Sequence, residues 1–283
     1  VTWLALVLAC SPVQPDCSSA EYCRAPFAGD DCAGEGVCTP LPESPAELVL
    51  WLPIAAGETL FCAKGGLRPR GSHGVCSDTG RFALDLATPA TLAPHVILAA
   101  ADGTAFPFGG CSSTNLDRGH DDRCNLGWGN VVHVEHPGGV FTLYAHLSSI
   151  FVQAGEHVVA GQPIGVEGNT GAAGGKHLHF GLQRGDAKEL GAGTSLPIAQ
   201  LKLDGLTLPS TAVPCGDWTA DGQVHAETQL RSQTPRVAPT ASRFLAEGTE
   251  PHPPAGPEVA TWPWGLVALP ALALGWWLGR RAR

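Results

Sequence analysis

Apolar and polar residues alternate with a period of two over several short runs of this chain, and a helical period is scarce. The clearest run is His177-Leu178-His179-Phe180-Gly181-Leu182. It predicts a strand that buries Leu178, Phe180 and Leu182 and turns both histidines to the other face. A second strand is predicted over 81–87, where Phe82, Leu84 and Leu86 alternate with Ala83, Asp85 and Ala87, so that the Asp85 carboxylate sits on a face of small residues. Two further strands, 131–136 and 140–147, flank the turn residues Pro137-Gly138-Gly139 and read as a hairpin, with Tyr144 and His146 on one face of its second strand. His133 and His136 fall on opposite faces of its first strand and are assigned to the surface or the hairpin end, because no partner is spaced for them. These patterns, with 36 glycines and 24 prolines, predict an all-β fold of one medium domain plus appendages.

Two histidines on one strand face suit a metal site or a catalytic pair, but taken alone they better suit a pair of surface histidines on a half-buried strand. A zinc ion that does chemistry keeps three protein ligands and one open position, so the pair needs partners elsewhere. Asp85 is one candidate, since a charge on such a strand is costly unless paired or metal-bound, although a solvated edge aspartate reads the same way. His73, in Gly71-Ser72-His73-Gly74, is a second candidate, and His146 a third histidine on a strand. No Gly-x-Ser-x-Gly elbow marks a nucleophilic serine.

Taken in order, Ser72-His73, Ala83-Leu84-Asp85, Tyr144-Ala145-His146-Leu147 and His177-Leu178-His179-Phe180 resemble the lysostaphin-type, LytM-like zinc endopeptidases that cut peptidoglycan cross-bridges. The connecting text agrees: Ala99-Ala100-Ala101-Asp102-Gly103, Gly129-Asn130-Val131-Val132, and Gly155 to Gly165 followed by Gly168-Asn169-Thr170-Gly171 all resemble that family over about residues 49 to 185. The resemblance implies an open antiparallel sheet with one zinc per chain held by His73, Asp85 and His179, and a catalytic pair, His146 and His177. It also implies bound water made nucleophilic near neutral pH and a polarised peptide carbonyl. One departure stands out. His73 and Asp85 are twelve positions apart, where many relatives place them four apart, and the insertion contains Asp78 as a fallback ligand.

A net charge of -9 argues against a nucleic-acid partner and gives no pull toward anionic polymers. Ten cysteines fit an oxidising compartment. Cys17, Cys23, Cys32 and Cys38 are expected to staple a small module over 16–46, Cys62 and Cys76 flank His73, and Cys111 and Cys124 bracket a polar loop, with Cys215 left for Cys10 or one of these. Residues 1–9 resemble the apolar core of a signal peptide, and Cys10 reads as a lipidated residue or a disulfide partner. The catalytic region is placed at 49–200 and a Pro-rich linker at 201–258. The uncharged stretch 259–279 reads as a transmembrane or sorting helix, flanked by tryptophans and followed by the basic tail 280–283. The expected protein is thus an exported, membrane-tethered zinc endopeptidase acting on peptidoglycan stem or cross-bridge peptides. The alternative is a non-enzymatic relative that binds wall or activates a separate amidase.

Overall fold

A computed structural model describes residues 36–237 except 69–72, 75, 90–91, 113–122, 204, 219–223, 226–228 and 236, together with 9–10, 17, 21–24, 27–28 and 31–32. Among them the structure is all-β, with two short 3-10 turns and no α-helix. Nine strands form one antiparallel sheet: β1 (Thr59–Lys64), β2 (Leu84–Ala87), β3 (Gly103–Phe108), β4 (Asn130–His136), β5 (Val140–Leu147), β6 (Glu156–Val158), β7 (Leu178–Arg184), β8 (Thr194–Leu196) and β9 (Gln229–Arg231). Their spatial order is β6-β3-β4-β5-β7-β2-β1-β9, with β8 added to β7. The predicted hairpin is the β4–β5 pair, and the two predicted histidine and aspartate strands are neighbours, with His179 directly opposite Asp85. Outside this sheet Gln200–Leu203 pairs in parallel with Val49–Trp51, so the whole is not purely antiparallel.

Period-two patterning divides the side chains between two faces. Leu84, Leu86, Val132, Val134, Tyr144, Leu178, Phe180 and Leu182 enter the larger core, where Leu50, Ile97, Ile164 and Leu201 cover them. The other face carries Val131, Phe141, Leu143 and Ala145, covered by Ala187 and Leu190 of the loop that follows β7. Covering on both faces overturns the surface assignment of His133 and His136, which are 0% and 3% exposed. His133 lies between Phe108 and Phe141, at ring-centroid distances of 5.0 and 4.4 Å, and donates from Nδ1 to the Ala187 carbonyl at 2.9 Å. His136 donates from Nδ1 to the Asp102 carbonyl at 2.8 Å and meets Thr142 Oγ1 at 3.0 Å.

Burial pushes the His133 imidazole from its ordinary 6.5 down to about 4. The folded chain therefore holds it neutral where the unfolded chain binds a proton, and stability present above pH 6.5 is lost as the pH falls toward 4. The loss attributable to this ring should approach about 3 kcal/mol at the acid end of that window. Comparing denaturant unfolding of the wild type and His133→Phe at pH 8 and pH 4.5 checks this. An equal acid loss in both proteins would show that the ring titrates freely.

The N-terminal module pairs Glu21–Arg24 with Gly36–Pro40, and Cys17–Cys38 staples it. Its Tyr22 packs on Phe82, 5.6 Å between ring centroids, and its hydroxyl accepts a hydrogen bond from Arg81. Cys62 is joined to Cys215, not to Cys76, which is itself in a disulfide, while Cys111–Cys124 forms as the bracketed loop suggested. The described residues of the expected linker from 201 onward include folded ones as far as Thr234. Leu201, Leu203, Val213 and Leu230 are buried, and Ser232 and Thr234 are buried by donating to the Ile54 and Leu52 carbonyls at 2.6 Å each. Residues 1–8, the side chain of Cys10 and everything from 238 on, including the expected helix at 259–279, lie outside the described residues. Among the described residues no helix is long and apolar enough to cross a membrane.

Candidate metal centre

The second sheet face ends, at the start of β7 and the end of β5, in a cluster of four histidines and one aspartate. Opposition of His179 to Asp85 across β7 and β2 brings His179 Nδ1 within 2.9 Å of Asp85 Oδ1. His73 arrives from the loop before β2, its Nε2 2.9 Å from the same Oδ1 and 3.2 Å from His179 Nδ1. These three residues are 0 to 4% exposed. Asp78, the fallback, is not among them. Its carboxylate lies at the surface against Arg81, which also donates to the Ser77 carbonyl at 2.8 Å. Arg81 thus folds the insertion between His73 and Asp85 into a compact turn and tolerates the long spacing.

His146 reaches the cluster by a route the strand pattern does not show. Regular alternation would put it beside Tyr144, in the larger core. Instead its φ is +63°, and the register of β4 against β5 shifts between Asn130 and Val132. This bulge swings the ring to the opposite face, where its centroid lies 4.7 Å from that of His177, the rings tilted at 49°, and 6.0 Å from that of His179. Expecting Tyr144 and His146 on one face is therefore wrong, and the left-handed backbone is the reason. His177 precedes β7, and its Nε2 is 3.5 Å from Asp85 Oδ1.

Backbone carbonyls set the tautomers. His73 Nδ1 donates to Ala83 O at 2.9 Å, His146 Nδ1 to Thr170 O at 2.8 Å, and His177 Nδ1 to Gly175 O at 2.8 Å. In each neutral ring the proton is then on Nδ1 and the Nε2 lone pair is left for the cluster. Burial drives the His146 imidazole well below the ordinary histidine range, and His177 and His179 push it further. Burial likewise holds His179 down at about 4 despite its hydrogen bond to Asp85. Burial raises the Asp85 carboxyl, but attraction from His73 and His177 and hydrogen bonds from His179 and His73 outweigh it and keep it well below the usual carboxylate range.

His73 Nε2 and Asp85 Oδ1 face each other at 2.9 Å, a pairing that needs either a proton on Nε2 or a cation between the two atoms. The buried Nε2 of His179, on the far side of that ring, has no hydrogen-bond partner among the described residues. His73, Asp85 and His179 thus offer two nitrogens and one oxygen that could hold a metal ion, an N2O set suited to zinc with a position to spare.

Sequence reasoning missed Trp128 and Thr170. The Trp128 ring lies 5.1 Å from that of His179, and its carbonyl accepts the His146 N–H at 3.0 Å. The Thr170 hydroxyl accepts the Asn130 N–H and donates to the Leu147 carbonyl, both at 2.9 Å. Neither sits in a periodic run, and only the flanking glycines signalled a tight approach.

Fold and cluster together define a β-sheet protein with a buried histidine–carboxylate site that could hold a cation. Residues 83–190 match the model of Peptidase family M23. Asp85, His146, His177 and His179 lie inside the match, and His73 lies ten residues before it. A 54-residue stretch, 19% of this chain, is 52% identical to the DD-carboxypeptidase/endopeptidase Mpg of Neisseria meningitidis serogroup B, covering 12% of that protein. A stretch of the same length is 48% identical to the peptidoglycan DD-endopeptidase ShyA of Vibrio cholerae, covering 13% of it. Over 58 residues, 20% of this chain, identity to the murein hydrolase activator EnvC of Escherichia coli is 43%, covering 14% of that protein. The similarity thus spans between 12% and 14% of the length of these relatives.

Proposed function

We propose that this protein is a zinc-dependent endopeptidase that hydrolyses peptide cross-links of bacterial peptidoglycan in the cell envelope. The observation that carries the reading is the convergence of His73 Nε2, Asp85 Oδ1 and His179 Nδ1, with the rings of His146 and His177 alongside. His73, Asp85 and His179 would hold the zinc ion. When bound, zinc lowers the pKa of water toward neutrality and polarises a peptide carbonyl. His177 and His146 handle protons. His177 Nε2, 3.5 Å from Asp85 Oδ1, would take a proton from the attacking water and hold it beside that carboxylate until it passes to the leaving amine. His146, fixed by Thr170 and Trp128, keeps a second imidazole at the same carbonyl.

The named activities of the two endopeptidase relatives support the substrate class, and the disulfides support an exported domain. Membrane attachment through 259–279, or through a lipidated Cys10, belongs to the same proposal. The rival, a wall-binding or amidase-activating protein, is favoured by the likeness to a murein hydrolase activator. Retention of all five site residues favours the enzyme. Purified protein should release soluble muropeptides from peptidoglycan, identified by mass, and a chelator should stop the release until zinc is restored. Stoichiometric zinc without any release would favour the rival.

A further inference from the structure

The loop before β4 carries a leucine that the fold does not account for. Asn125 (φ 50°, ψ 50°), Leu126 (φ 59°, ψ 24°) and Gly127 (φ 91°) form three successive left-handed residues. Asparagine and glycine adopt that conformation readily; leucine does so at a cost of about 1–2 kcal/mol. Burial of the side chain normally offsets such a cost, but Leu126 is 72% exposed. A chain that needed only the turn would do better with glycine there.

The turn is nonetheless held in place. Asn125 Nδ2 donates to the carbonyls of Gly129, Phe108 and Gly109 at 2.8, 3.1 and 3.2 Å, and Cys111–Cys124 ties its start. Its far end is Trp128, whose ring lies against His179. Leu126 Cδ1 comes within 2.9 Å of where a Cβ would stand on Gly191, in the loop that crosses the same sheet face. Strain of this kind, held by the surroundings two residues from a ring that packs on His179, points to a ligand.

We propose that Leu126, with the Trp128 ring, forms an apolar shelf that selects a peptide whose residue beside the scissile bond bears a methyl or larger alkyl group, and so discriminates against glycine bridges. This rests on the reading of the cluster as a peptidase centre. Leu126 is a specificity determinant and plays no part in bond breaking.

Strain and display separate in one variant. Leu126→Gly removes the strain, so its unfolding midpoint should rise; a leucine that served the fold would give the opposite sign. Binding is measured by calorimetry in the His177→Ala background, where turnover is suppressed, with two cross-linked stem peptides that differ only in alanine or glycine beside the scissile bond. Leu126→Gly should weaken the alanine peptide by about five- to tenfold and leave the glycine peptide unchanged. Equal losses for both peptides, no loss for either, or a lowered midpoint without selective loss would overturn the shelf alone. If neither peptide binds the protein that still carries Leu126, the shelf and the peptidase reading fail together.

Discussion

Asp85→Ala and His179→Ala should each lose bound zinc and all measurable peptidoglycan hydrolysis, whereas His146→Ala and His177→Ala should keep zinc near one per chain while turnover falls about 10²-fold or more. The two groups fail differently because of where their atoms lie. Removing Asp85 takes away the oxygen that both His73 Nε2 and His179 Nδ1 approach at 2.9 Å, and leaves two imidazoles with nothing anionic between them. Removing His146 deletes a ring whose Nδ1 is committed to Thr170 and which lies outside the N2O set. His73→Ala belongs with the first group. Metal content by atomic emission, read beside fragment release, separates the outcomes: loss of zinc in His177→Ala with retention in His179→Ala would invert the assignment.

Gly171→Ala should cost at least about 2 kcal/mol of stability and most of the activity, although residue 171 belongs to neither group. Its φ is +72°, and a Cβ would lie 2.4 Å from Gly129 N and 2.5 Å from Gly127 O. Gly129 is confined in return, with φ +67° and a Cβ position 2.4 Å from the Thr170 carbonyl. Two loops therefore cross backbone against backbone, one delivering the Trp128 carbonyl to His146 N–H and the other the Thr170 carbonyl to His146 Nδ1. A methyl group at the crossing separates the two carbonyls that orient one ring. Denaturant unfolding and turnover measured together test this; an unchanged midpoint with full activity would show that the crossing is loose.

The strands that carry Asp85 and His179 were legible because their large apolar residues recur with a period of two, which leaves the aspartate and the histidine together on the opposite face. His73 was legible only through family resemblance, since the turn organised by Arg81 has no period. The orientation of His146 was illegible: a left-handed residue at the end of a strand leaves no trace in the alternation, yet it moves the side chain to the other face. Burial of His133 depends on a distant loop supplying Ala187 and Leu190, which nothing local in β4 announces. The Pro-rich segment misled for a different reason. Leu230, Ser232 and Thr234 do alternate inward, but two of the three are hydroxyl residues, buried because each finds a carbonyl of the segment 52–54.

Cys62 and Cys215 are 153 residues apart, and their bond encloses β2 to β8 with every residue of the cluster. The enclosed chain is in effect circular. A proteolytic cut in any one loop between the two cysteines opens the circle without releasing a fragment, so the severed ends stay at high effective concentration and the sheet pairs that bracket the cut persist. Where foreign proteases are abundant, a single nick in this domain is an injury to one loop instead of the loss of half the site.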